Sequence, residues 1–210
     1  MDKFKTIKQN AISNFTEKKS KFIGKVFYIE TVQEAEEIIK NIKKENADAR
    51  HNIYAYSVTS KLGEYTKSSD DGEPSGTAGI PVLNVIKQNN LSNVLIIITR
   101  YFGGILLGTG GLCRAYTKSA VMVLEEAEII EKTLGYIIKL QTNYEDLEKL
   151  KYFCKQSNIN IIKVEFLDNI NVIIEIPQTL EEGIKGNIDK LFPNLTGYDI
   201  LQEKNIIINP

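Results

Sequence analysis

The chain has 210 residues, 42% of them hydrophobic and 25% charged. That composition excludes disorder as the main state and leaves room for one large domain or two modest ones. A balance of 26 basic against 27 acidic side chains excludes gross polybasic attraction to nucleic acid or membrane, and a single His with no Trp removes most metal-dependent and His-dependent catalytic schemes.

Residues 1–19 carry no clear period and fit an arm or an edge strand equally. A strand is expected over 21–29, then a helix on which Val32, Ala35, Ile38, Ile39 and Ile42 fall at helical spacing. Thr31, with Glu34 three residues on, forms a capping box at its start. Residues 53–59, rich in Tyr and β-branched side chains, predict another strand. The Gly-rich and Pro-containing stretch 61–79 predicts a long exposed loop, and 80–88 a short helix with Pro81 at its start. The continuous apolar run at 94–99 predicts a buried central strand. Five glycines (Gly103, Gly104, Gly108, Gly110 and Gly111) precede a helix expected over 112–127.

The second half reads strand 136–142, helix 144–156, strands 159–166 and 170–176, a helix marked by Leu180, Ile184, Ile188 and Leu191, and a strand over 198–208. That order is the β-α-β-β-α-β unit of ferredoxin-like domains. The domains are therefore placed at 1–133 and 134–210. The first holds 18 basic and 16 acidic side chains and the second 8 and 11, a mild asymmetry. Cys113 and Cys154 are too few and too far apart for a disulfide framework, which points to a reducing compartment. With no signal-peptide pattern and no run near about 18 apolar residues, a soluble cytoplasmic protein is expected.

Two segments carry the chemistry. The first, SSDDGEPSGTAG at 68–79, sets Asp70, Asp71 and Glu73 among hydroxyls and glycines. It fits either a site for a divalent ion or substrate hydroxyl, or a run of Asx turns whose carboxylates accept backbone N–H bonds. Its spacing does not match an EF-hand, and no metal site is assigned. The second, TRYFGGILLGTGGLCRAYTKS at 99–119, places glycines before a helix whose first N–H groups are unpaired donors. Arg100, Gly110, Gly111, Arg114 and Lys118 there are candidates for phosphate or RNA contact. The alternative is that the glycines only permit close helix-on-sheet packing. Tyr101 and Phe102 are candidates for stacking on a base or for capping the core. Neither a Walker loop nor a dinucleotide fingerprint survives, the latter because Cys113 stands where a third Gly belongs. Cys113 reads as a small buried hydrophobe rather than a nucleophile.

The strings KKSKFIG (18–24), DDGEPSGTAG (70–79) and TRYFGGILLGTGGLCRAY (99–116) resemble those of the YigZ/Impact family, and the second half resembles the small C-terminal domain of its bacterial two-domain members. The resemblance implies an α+β protein. Its N-terminal domain would have the fold of domain two of ribosomal protein S five, a two-layer α/β sandwich, and its C-terminal domain would be ferredoxin-like and similar to domains of elongation factor G. Eukaryotic Impact members act as translational regulators. His51, Asp71, Glu73, Ser75, Thr77, Arg100, Gly110, Gly111 and Arg114 fall on motif positions, with Lys19 and Lys21 on the first motif. The expected function is a translation-linked regulatory or binding protein, engaging RNA or a ribosome-associated partner through the Gly-rich helix start and its arginines, with no cofactor, membrane or DNA. The alternative is an enzyme acting on a small phosphorylated or nucleotide substrate. There Asp71 or Glu73 would serve as base or magnesium ligand, the one case that calls for magnesium. No catalytic residue is assigned, and the oligomeric state is left open.

Overall fold

The computed structural model describes residues 3–60 and 63–208, excepting the side chains of 186–191. The described residues form an α+β protein of two sheets and five helices. Contacts divide it into Phe4–Ile130 and a unit built on Glu131–Pro210.

The first unit runs β1 (Phe4–Ile7), β2 (Ala11–Glu17), β3 (Ser20–Tyr28), α1 (Val32–Glu45), β4 (His51–Ser60), β5 (Gly63–Ser69), α2 (Gly79–Gln88), β6 (Val94–Tyr101) and α3 (Thr109–Glu125). Its antiparallel sheet has the order β2-β3-β6-β4-β5. The apolar run at 94–98 is central because both of its faces are covered. Val94, Ile96 and Ile98 join Val82, Ile86, Ala120 and Val123 beneath α2 and α3. Leu95 and Ile97 join Ala35, Ile39 and Ile42 of α1 on the other side. Alternation along a strand sends neighbours to opposite faces, so one continuous run serves two cores. Helices α2 and α3 form the layer on one face of the sheet, and α1 covers the opposite face. Thr31 caps α1, its Oγ1 accepting from Glu34 N–H at 3.1 Å, while the Glu34 carboxylate takes the N–H of Glu30 at 2.8 Å.

The two Lys of the β2–β3 turn, Lys18 and Lys19, both have positive φ, at 44° and 62°. Such a backbone suits a two-residue hairpin, whose twist it matches. The stretch expected as a loop over 61–79 contains strand β5, paired along its length with β4; residues 61 and 62 lie outside the described residues. β5 is a half-exposed edge, so its sequence GEYTKSS shows little of the hydrophobic alternation that marks a strand with one buried face. The loop proper is 70–78. Helix α3 begins at Thr109, three residues before the expected start, and ends at Glu125.

The second unit contains β7 (Ile129–Thr142), α4 (Tyr144–Gln156), β8 (Asn160–Phe166), β9 (Ile170–Pro177), α5 (Gln178–Leu191) and β10 (Gly197–Ile207). Strand order β10-β7-β9-β8, antiparallel throughout, is that of the split β-α-β-β-α-β unit. Ile138, Leu140, Val172 and Ile174 of the sheet pack with Leu147, Leu150 and Cys154 of α4, and burial pushes the Cys154 thiol up to about 11. β7 runs unbroken through 132–134. Ile188 and Leu191 lie among the side chains outside the description. No helix of the described residues is long and apolar enough to cross a membrane.

Candidate functional site

Sheet register assembles the site. Arg100 of β6 lies opposite Phe22 of β3 on one side and opposite His51 of β4 on the other. Arg100 continues the phase of Val94, Ile96 and Ile98, so its side chain points to the α3 face, where an apolar residue would otherwise complete the core. It is 4% exposed. A buried guanidinium requires a carboxylate, and Glu73 supplies it.

Glu73 reaches that point because the 70–78 loop is folded around Asp70. The Asp70 carboxylate accepts the N–H groups of Gly76 (2.8 Å), Ala78 (2.9 Å) and Gly79 (2.8 Å). Burial works to raise its pKa, but the three donors outweigh it and hold the carboxyl below the usual value. Asp71 is tied down beside it, its carboxylate accepting from Lys43 Nζ at 2.5 Å and from the N–H of Asn52 at 2.7 Å. The Asp71 carbonyl lies 2.9 Å from His51 Nδ1. A carbonyl only accepts, so Nδ1 carries the proton. The other imidazole nitrogen, Nε2, then faces Glu73 Oε1 at 3.7 Å.

Glu73 Oε1 is the hub. It accepts from Arg100 Nη1 at 2.5 Å and from the Tyr116 hydroxyl of α3 at 2.7 Å. All of these contacts fall on Oε1, which leaves Oε2 out of the network. Arg100 Nη2 donates to Ser20 Oγ at 3.3 Å, and its Nε is buried without a partner. The guanidinium lies between two rings, 5.4 Å from Phe22 and 5.5 Å from Phe102. Burial, and then the Glu73 charge, raise the Tyr116 pKa far above that of a free phenol, so the hydroxyl stays a donor.

Helix α3 starts beside this cluster. Its N-cap is Gly108, at φ +73°, with no capping side chain and no acidic residue in the first turn. The N–H groups of Thr109, Gly110 and Gly111 therefore have no partner within the helix. Glycine is needed at Gly108 for its left-handed backbone. It is needed at Gly103 for a different reason: a Cβ there would collide with the backbone of Lys19 and Ser20.

Two concavities flank Leu107. A groove of about 240 Å³ is lined by Lys18, Gly111, Arg114 and Lys118, with Glu17 the one acid, and the Lys118 ammonium sits 4.8 Å over the Phe15 ring. A cavity of about 370 Å³ is lined from the first loop by Gly72, Glu73 and Pro74, and from the second by Phe102, Leu106, Gly108 and Thr109. Arg50, His51 and Arg100 complete it.

The candidates thus separate. Gly111, Arg114 and Lys118 share the groove, with Gly110 exposed on the adjoining first turn. His51, Glu73 and Arg100 share the cavity. Asp71 is spent on Lys43 and Asn52, the Thr77 hydroxyl donates to the Pro74 carbonyl at 2.6 Å, and Ser75 is exposed; none of these three lines either concavity. Arg100, a candidate for phosphate or RNA contact, is a buried partner of Glu73. Tyr101 and Phe102 divide between faces: the Tyr101 hydroxyl meets Asn46 and Asp48, while Phe102 covers Arg100. Among the described residues no group of three or more His, Cys, Asp or Glu could hold a metal ion. Sequence reasoning missed Tyr116, Ser20, Lys43 and Lys18 as site residues. A signal existed for Tyr116, the one side chain with a hydroxyl on the stripe Leu112, Tyr116, Ala120, Val123 and Ala127.

Comparison with known proteins agrees with the motif positions. The family model for the Impact N-terminal domain matches residues 18–124, and a domain of unknown function (DUF1949) matches 140–192. The Impact family member YvyE of Bacillus subtilis is 38% identical over 165 residues, covering 79% of this chain and 76% of that one. The member YigZ of Escherichia coli is 32% identical over 165 residues, covering 76% and 79%. A crystal structure of a hypothetical protein superposes with a TM-score of 0.65 at 25% identity, covering 100% of this chain and 98% of the other. The segments that build the Glu73–Arg100 cluster and the start of α3 all lie inside the matched Impact region, and the chain belongs to the Impact family.

Proposed function

We propose that this protein is a translation-linked regulatory protein that engages RNA, holding phosphates in the groove beside α3. The observation that carries the reading is the convergence of Lys18, Arg114 and Lys118 on one groove at the open start of a 17-residue helix. The N–H groups of Gly110 and Gly111 add oriented donors, and the helix dipole favours an anion there. Exposed Lys19 and Lys21 on the neighbouring hairpin extend the positive edge. Membership of the Impact family supports the translation-linked part of the reading. Arg100 acts by positioning, since its charge is taken up by Glu73.

Phosphate contacts of this kind make affinity fall steeply with salt. Titration of single-stranded RNA across a salt series should show that Arg114→Ala and Lys118→Ala each weaken binding severalfold and each reduce the salt slope by about one. Both residues are exposed, so the variants should stay within about 0.5 kcal/mol of the parent in stability. Unchanged affinity and slope in both would end the proposal.

A further inference from the structure

The cavity on the other side of Leu107 is not used by the RNA reading, and it differs from the groove in kind. Its floor is a buried, hydrogen-bonded ion pair. Arg100 and Glu73 have side chains only 5% and 4% exposed, which is costly unless it is geometrically locked. Arg100 keeps a buried Nε with no protein partner. Glu73 neutralises Arg100, so the positive charge of Arg50 and the uncapped N–H groups at Gly108–Thr109 are left without an acidic counterpart among the lining residues. The remaining wall is apolar: Phe102, 42% exposed, and Leu106, 81% exposed, stand at its side. A volume of about 370 Å³ lies in the range of small-molecule sites, which combine apolar walls with a few convergent polar groups.

We infer that this cavity binds a small organic oxyanion, a phosphate monoester or carboxylate, with its charged end at Arg50 and the α3 start and its apolar body against Phe102 and Leu106. His51 Nε2 and Glu73 Oε2 are the groups placed to read a polar substituent of that body. Loops 70–78 and 102–108 both contribute, so the ligand bridges the two motif segments. The site is separate from the RNA groove, and its existence does not depend on RNA binding.

The experiment is an amide-resolved titration of the full isotopically labelled chain with phenyl phosphate, benzoate and inorganic phosphate. Saturable shifts centred on residues 72–74 and 108–109 are expected. At least one of the two aromatic anions should bind about tenfold or more tighter than inorganic phosphate, the gain of burying a ring-sized apolar group. Phe102→Ala should remove most of that advantage, and Arg50→Ala should weaken both aromatic anions. Both residues are exposed and the amide spectrum reports that the fold is kept. The double variant Arg114→Ala/Lys118→Ala should lose RNA while keeping its affinity for the preferred anion. Phenyl phosphate as the tighter ligand assigns a phosphate ester, and benzoate a carboxylate. The inference is overturned if no anion gives saturable shifts at these residues, if inorganic phosphate matches both aromatic anions, or if the double variant loses the small anion as well.

Discussion

The two units bury their interiors in different ways. In Glu131–Pro210 the core beneath α4 is aliphatic and aromatic, and among the described residues the buried polar ones are Thr133, Thr142 and Asp146. In Phe4–Ile130 the apolar core is larger, yet one end of it is given over to Glu73, Arg100, Ser20 and the Tyr116 hydroxyl. Hydrophobic burial is enough to hold a small α+β unit together. An ion pair placed in a core is tolerated only while both partners are present. The unit that carries one has accepted a fragile arrangement where its two loops and α3 meet, and both proposed binding sites flank that point.

The sharpest way to break the contrast is Glu73→Ala, which strands Arg100 in the core. A loss of about 3–5 kcal/mol is expected in urea unfolding, and a loss below about 1 kcal/mol would mean the pair is not buried in solution. In the other unit, Leu140→Ala should cost about 2–5 kcal/mol, from lost apolar burial and the cavity left behind, with no dependence on salt. Hydrogen exchange at the amides of β7 and β9 would report it.

A smaller effect is expected at Asp70→Asn, about 2–3 kcal/mol, from loss of charge-assisted bonds to three N–H groups. Because the folded pKa of Asp70 is lowered from 3.8, its contribution is present above the unfolded value and is lost as pH falls below about 3.8 through the folded one. The parent and the Asn variant should converge in stability at low pH, as read by their unfolding midpoints; a constant gap down to acid would remove the argument.

Much of the scaffold was legible in residues. Thr31 and Glu34 marked the start of α1, the run at 94–99 marked a central strand, and the second half spelled out its own topology. β5 was not legible, because an edge strand held by backbone bonds need not alternate. Nor was the pairing of Arg100 with Glu73. Twenty-seven residues separate them, and only the register of β3, β6 and β4 turns Arg100 inward. A cation read from sequence reads as exposed because most are. The glycines draw attention to the start of α3, but two concavities flank it, and the sequence does not say which cation belongs to which.

Helix α2 has no cap of its own: its N-cap residue is Ala78, with no side-chain hydrogen bond. Two of its opening N–H groups, those of Ala78 and Gly79, are held by a carboxylate eight and nine residues upstream. The first turn of that helix and the closure of the 70–78 loop are therefore a single event, because neither is satisfied before the other. The loop that delivers Glu73 is wound onto the helix behind it. In kinetic terms, the site is assembled when α2 is, and slackening of that helix start would release the Glu73–Arg100 pair along with it.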